Sequence, residues 1–217
     1  MADHTSTVSL PYFVCKTCGV VDHDTNRLNV DSSCSQCGAE GEIGQLYYPI
    51  SVQTVVKLIR QMGETRNGMQ SDDPGPGIAV VLFYCTLVEV LMDRLLTQIM
   101  RSQNLPQGVQ ERMLDDHPFV SKRAEKLFPS LTSDTWNQVI SKISDENTSA
   151  YRDVNDLYLQ ANKARNNFLH EGQAWPMPSE LPQDCLRYVI PTLDMFATLH
   201  NECVAPAYGK DRPYVDG

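Results

Sequence analysis

Residues 78–101 read IAVVLFYCTLVEVLMDRLLTQIMR. Wound as a helix, this stretch turns apolar side chains to every side: Val80, Val81, Leu82, Phe83, Tyr84, Leu87, Val88, Val90, Leu91, Met92, Leu95, Leu96 and Ile99. A surface helix is apolar on one stripe, so a helix of this kind belongs in the middle of a bundle with others around it. The uninterrupted apolar part, Ile78 to Val88, stops at Glu89 and falls short of the roughly 18 residues a membrane span needs, so no membrane segment is expected. Glu89 and Asp93 interrupt the run, and a buried carboxylate needs a partner. Asp93 is followed by Arg94 and reads as the point where the helix turns toward solvent.

Outward from this core helix the chain stays helical. On its N-terminal side Ser51 is placed to cap a helix carrying Val52, Val55, Val56, Leu58 and Ile59, with an expected stop near Met62-Gly63. Glu64 to Gly77 contains Asn67-Gly68, Asp72-Asp73 and Pro74-Gly75-Pro76-Gly77 and reads as a polar, mobile loop. On the C-terminal side helices are expected over Val109 to Leu114, Ser121 to Leu127, and Thr132 to Ile143, the last with Trp136, Val139, Ile140 and Ile143 on one face. Ser149 to His170 makes a long helix with Leu157, Ala161, Ala164 and Phe168 as its apolar stripe. Gly172 and then Trp175-Pro176-Met177-Pro178 end it. A final helix from Pro182 to Glu202 is expected to kink or break at Pro191, and the tail from Ala205 reads as an arm.

Before the helices lies a different pattern. Cys15-Lys16-Thr17-Cys18-Gly19 and Cys34-Ser35-Gln36-Cys37-Gly38 are two CxxCG knuckles separated by fifteen residues. A two-residue gap lets both sulfurs of a tight turn face one ion, and two such turns supply the four thiolates of a tetrahedral zinc site. A site with four cysteines is closed to water, so Cys15, Cys18, Cys34 and Cys37 are expected to hold one structural Zn2+ ion that folds the segment and does not catalyse. A disulfide framework would need an oxidising compartment. Met1 to Val14 has no basic start, apolar run or small-residue cleavage site, so reduced thiols and a cytoplasmic location are expected. His23 lies between the pairs, where a substitute ligand would stand, but reads rather as a surface residue, and Cys85, Cys185 and Cys203 read as small core residues. Short segments at Pro11 to Val14 and Gln45 to Tyr48 read as strands flanking the knuckles.

The expected fold class is therefore mainly α, a helical bundle preceded by a small β-rich zinc ribbon: residues 1–50 as ribbon, 51–204 as bundle, 205–217 as tail. A chain of 217 residues is long enough for both. Its net charge of -9 argues against a surface built for tight nonspecific nucleic-acid binding. Two basic and six acidic residues precede position 50, and sixteen basic and twenty-one acidic follow it. Neither part is the basic one.

The densest polar chemistry lies at the end of the long helix: Asn162, Lys163, Arg165, Asn166, Asn167 and His170. Steps of four put Asn162, Asn166 and His170 on one face, about 40° between successive residues, and leave Arg165 about 140° from His170. An arginine or histidine in a last turn also complements the helix dipole, and asparagines there bind solvent. Arg165 and His170 serve one site only if the helix end unwinds or a second molecule contributes.

Arg165-Asn166-Asn167-Phe168-Leu169-His170 resembles the Arg-x4-6-His motif of HEPN domains, with a polar residue after the arginine, at the end of a late helix in an all-α setting. An earlier apolar helix bears a lone acid, here Glu89. The resemblance covers about residues 51–204 and rests on a short motif. It implies a metal-independent endoribonuclease acting as a homodimer, the two motif helices facing each other so that Arg165 and His170 of two subunits converge on one RNA phosphate. His170 would then move the proton of the attacking 2′-hydroxyl or the leaving 5′-oxygen, Arg165 would neutralise the phosphoryl oxygens, Asn166 would orient the phosphate or the histidine, and Glu89 would hold Arg165 or Asn166. A 2′,3′-cyclic phosphate and a 5′-hydroxyl would result, and DNA would resist. The family also suggests a toxin or antiviral defence setting with an antitoxin or defence-complex partner. Glu171 and Gly172 follow the histidine where related toxins carry a tyrosine that accepts adenylylation, which puts control by that modification in doubt. Two alternatives stay open: an inactive HEPN dimer used as a scaffold, and a zinc-ribbon adaptor that binds a protein or nucleic-acid partner.

Overall fold

The structure, a computed structural model, describes residues 12–23, 33–39, 45–68, 73–171 and 177–214. It is mainly helical, with a small antiparallel sheet near the N-terminus made of β1 (Tyr12–Val14), β2 (Val21–His23) and β3 (Gln45–Leu46) in the order β2-β1-β3. Val14 pairs with Val21 on one side, and Phe13 with Leu46 on the other.

The helices are α1 (Ile50–Gly68), α2 (Gly75–Ser102), α3 (Gln107–Asp115), α4 (Val120–Lys122), α5 (Phe128–Thr132), α6 (Trp136–Glu146), α7 (Ala150–Glu171), α8 (Leu181–Arg187) and α9 (Val189–Cys203). One π-helical turn, Arg123–Leu127, joins α4 to α5. As its composition requires, α2 is the central helix: α1, α7, α8 and α9 pack around it, and Val80, Tyr84, Cys85, Leu87 and Leu96 are fully buried. By length and apolar composition alone α2 would suit a membrane span. Here about half of that apolar stretch is buried in the bundle, with Leu82, Phe83 and Val90 partly buried, and Glu89 and Asp93 make ion pairs with Arg165 and Arg123.

Several boundaries differ from the sequence reading, each for a local reason. The first helix does not stop at Met62-Gly63 but runs on to Gly68, so much of the expected loop is helix; residues 69–72 lie outside the described residues. Gly63 is buried because Leu186 of α8 lies against it: a Cβ there would come within 2.6 Å of Leu186 Cδ2. It is a packing glycine, not a stop. At the start of this helix Gln53, not Ser51, meets the preceding chain, its N–H donating to Pro49 O at 3.2 Å and its Nε2 to Tyr48 O at 3.0 Å.

Thr132 closes α5 and does not open α6. Ser133 takes a left-handed φ of 67°, and Thr135 caps α6 through a reciprocal box with Gln138. The last helix breaks at Tyr188, three residues before Pro191, because the proline ring clashes with the carbonyl four residues back, that of Arg187. The chain around Gly172 and Trp175 lies outside the described residues. Cys85 and Cys185 are buried as expected, whereas Cys203 is only half-buried.

The expected C-terminal arm is folded back. After a 3-10 turn at Ala205–Ala207, the Tyr214 N–H donates to Lys16 O at 2.8 Å, and the buried Tyr214 ring packs against those of His200 and Tyr208. Tyr12, Val14, Val21, Tyr47, Tyr48 and Tyr214 belong to the same apolar cluster as the helices. Polar pins reinforce it: Tyr12 donates to Asp194 Oδ1 at 2.6 Å, and the Asn201 amide accepts from Val21 N–H and donates to Val21 O, both at 2.7 Å.

Candidate functional site

The two knuckles have the same backbone. Gly19 N–H donates to Cys15 O and Gly38 N–H to Cys34 O, each at 2.8 Å, and both glycines take a left-handed φ, 71° and 69°. That conformation is open to glycine at no steric cost, which is why each pair is CxxCG. The turns bring the four Sγ atoms of Cys15, Cys18, Cys34 and Cys37 within 4.8 Å of one another. Cys15 and Cys37 sulfurs are 3.7 Å apart, and Cys18 and Cys34 sulfurs 3.8 Å. A tetrahedron with metal–sulfur bonds of about 2.3 Å has edges of about 3.8 Å, so the cluster fits one metal ion.

Burial pushes the Cys15 and Cys18 thiols above their ordinary range. At Cys34 burial also pushes upward, but the N–H groups of Cys37 and Gln36 and the neighbouring thiols outweigh it and bring the thiol down to about 7. Such a set holds several negative charges together only with a cation among them. His23 is exposed, stacks on Tyr12 at 4.7 Å, and is not one of the clustered residues. The first knuckle is joined to the bundle: buried His200 of α9 bonds Gly19 O through Nε2 at 2.8 Å, and its Nδ1 lies 3.0 Å from Gln98 Oε1. On the second knuckle Ser35, Gln36 and Gly38 are exposed.

The second cluster lies between α2 and α7. Arg165 is ion-paired to Glu89. Four residues along α2, Asp93 is ion-paired to Arg123 of the π turn, so Asp93 does not simply mark the turn toward solvent. Burial raises the Asp93 carboxyl above the usual carboxylate range against the opposing pull of Arg123, and Glu89 adds to the rise. Burial alone would lower the Arg165 pKa, but the bond to Glu89 reverses the sign. The Nε atoms of Arg123 and Arg165 and Oδ1 of Asn162 are buried without hydrogen-bond partners.

The structure thus brings Glu89 and Arg165 together and leaves Asn166 and His170 exposed. Helical geometry keeps His170 about 140° around α7 from Arg165, and the helix holds its α form through both residues to Glu171. The unwinding that would unite them within one molecule is absent from the described residues. Two large apolar side chains of α7 are also exposed, Leu169 next to His170 in the chain at 61 % and Leu159 about three turns before it at 57 %.

Sequence reasoning missed Arg123, because neither a π turn nor a pairing over 30 residues leaves a periodic trace. It also missed the cleft that Asn162 lines with Trp136 and Phe196, because the sequence shows Trp136 only as one of four apolar residues on one helix face. Set against family models, curated proteins and solved structures, the chain matches none.

Proposed function

We propose that the protein is an endoribonuclease of the HEPN type, active as a homodimer, with a zinc ribbon closing one end of its bundle. The observation that carries this reading is the Arg165–Glu89 ion pair beside an exposed edge bearing Asn166 and His170. It fixes a guanidinium against α2, about 140° around α7 from His170, the side chain type best suited to proton exchange near neutral pH. Exposed Leu159 and Leu169 give α7 an apolar contribution to a contact with a second copy, and such a contact brings one subunit's His170 toward the other's Arg165. His170 then takes the 2′-hydroxyl proton or returns one to the 5′-oxygen, and Arg165 offsets the charge on the phosphoryl oxygens. Asn166 orients the phosphate. For the ribbon, four thiolates at tetrahedral spacing favour Zn2+, and the bonds from Gly19, Val21 and Lys16 to the bundle support a structural role for it.

The same ion pair favours a second reading, an inactive dimer serving as a scaffold, because a guanidinium already neutralised by Glu89 has less charge to offer a phosphate. Cleavage of a mixed RNA pool in EDTA by the parent protein and by His170→Ala separates the two. Cyclic phosphate ends from the parent, reduced about 100-fold or more in the variant, support the nuclease. Equal activity in both sinks it, and silence in both together with a stable dimer supports the scaffold.

A further inference from the structure

A cleft of about 600 Å³ opens between α2, the π-bearing helix, α6, α7 and α9. Its walls are aromatic and aliphatic: Trp136, Tyr158 and Phe196 with Val88 and Met92, each at most 9 % exposed. Trp136 is held edge-on to Phe128 with centroids 5.2 Å apart, and its indole N–H donates to Asn155 Oδ1 at 3.0 Å. Among the described residues that line the cleft there is no lysine or arginine, while Glu125 and Asp156 are both present. Asn162 contributes a buried Oδ1 that has no partner. One helical turn beyond Asn162 stands Arg165, and Arg123 directly precedes the lining residues Ala124 and Glu125.

We propose that this cleft binds one nucleobase carrying an exocyclic amine. Rigid aromatic and aliphatic walls suit a flat ring, which unstacked bases in RNA present. The absence of a basic side chain from the lining turns away a phosphate or carboxylate, and the acceptors Asn162 Oδ1, Glu125 and Asp156 select a ring that donates N–H bonds. Adenine, guanine and cytosine offer an exocyclic amine. Uracil flanks its one N–H with two carbonyls that would face the carboxylates. A nucleotide whose base fills the cleft carries its phosphate past Asn162 toward Arg165. The role in substrate selection rests on the nuclease reading, whereas binding of the base does not.

The test is the Trp136 indole N–H resonance in Trp175→Phe protein, titrated with adenosine, guanosine, cytidine, uridine and inorganic phosphate. At least one amine-bearing nucleoside is expected to shift it saturably, about tenfold more tightly than uridine, with no saturation by phosphate. Asn162→Leu is expected to weaken that nucleoside about tenfold and Asn162→Asp, which keeps an acceptor, to retain it. No saturation by any nucleoside up to its solubility, or saturation that Asn162→Leu leaves unchanged in a folded protein, overturns the proposal. Saturation in a protein that cuts no RNA supports the pocket and removes the nuclease. Cleavage by a protein whose Trp136 signal ignores every nucleoside removes the pocket and leaves the nuclease standing.

Discussion

Arg165 in α7 and Glu89 in α2, 76 residues apart in the chain, form an ion pair in which the arginine side chain is 21 % exposed and the glutamate 36 %. The guanidinium Nε is buried without a partner, so Glu89 supplies much of what keeps the charge tolerable. Glu89→Ala is expected to cost about 1–3 kcal/mol in urea unfolding, because it strands a mostly buried cation. Glu89→Gln, which keeps an acceptor of the same shape, is expected to cost less. Equal urea midpoints for parent and Glu89→Ala would show that the pair holds nothing in place.

Asp93 behaves differently, since burial outweighs its own arginine. Its folded carboxyl holds the proton above the unfolded value of 3.8. The contribution of Asp93 to stability is therefore full below that value and is lost as pH rises through the folded pKa. Arg123 and its hydrogen bond oppose the rise, so Arg123→Met is expected to move the Asp93 carboxyl midpoint further upward. The check is the pH dependence of the Asp93 side-chain carboxyl 13C shift in both proteins; a midpoint that falls in the variant contradicts the assigned order of effects.

How much of this was legible beforehand depends on how local the signal is. The central helix α2 could be read because apolar residues on all sides leave no face for water while Glu89 and Asp93 interrupt the run, and the cysteine cluster because CxxCG spacing sets its own turn geometry. The resemblance left Glu89 a choice between Arg165 and Asn166, and the packing of α7 on α2 pairs it with Arg165. Where the reading failed, a residue had two meanings. Gly63 serves as a stop or as a place for Leu186; Asp93 marks solvent or an ion pair. Tyr214 lies in a tail whose Pro206, Gly209 and Pro213 suggested an arm, yet its N–H reaches Lys16, almost the whole chain away.

The cysteine cluster is joined to α9 through Gly19 and Val21 and to the C-terminal tail through Lys16, so loss of a bound metal is expected to be felt in α9. If the cluster holds one metal ion per chain, Cys37→Ser should reduce the bound metal to a small fraction of that, as elemental analysis would read. The helical circular dichroism should largely persist, because α1, α7, α8 and α9 pack directly on α2, while the thermal midpoint falls as Tyr12, Val14, Tyr47 and Tyr48 loosen from the shared core. Protection of the amides around His200 from hydrogen exchange should fall with it, since the bond from His200 Nε2 to Gly19 O ties that residue to the knuckle. Full protection there in a metal-free protein would show that the bundle holds the first knuckle without help from the ion.

Gly63 offers the sharpest test of the packing. In an exposed helix interior, alanine stabilises over glycine by about 1 kcal/mol. Here the added Cβ would meet Leu186 Cδ2 at 2.6 Å and Cδ1 at 2.7 Å, and overpacking of this kind costs about 1–3 kcal/mol. Gly63→Ala is therefore expected to be neutral to destabilising by up to about 2 kcal/mol, the difference of the two effects. In a Leu186→Ala background the obstacle is gone, and the same substitution should stabilise by about 1 kcal/mol. The sign change across this double-mutant cycle, read from urea unfolding, is the signature of a glycine kept for the approach of α8. If Gly63→Ala has the same effect in both backgrounds, the two residues are uncoupled, and the contact is not what makes glycine necessary at this position.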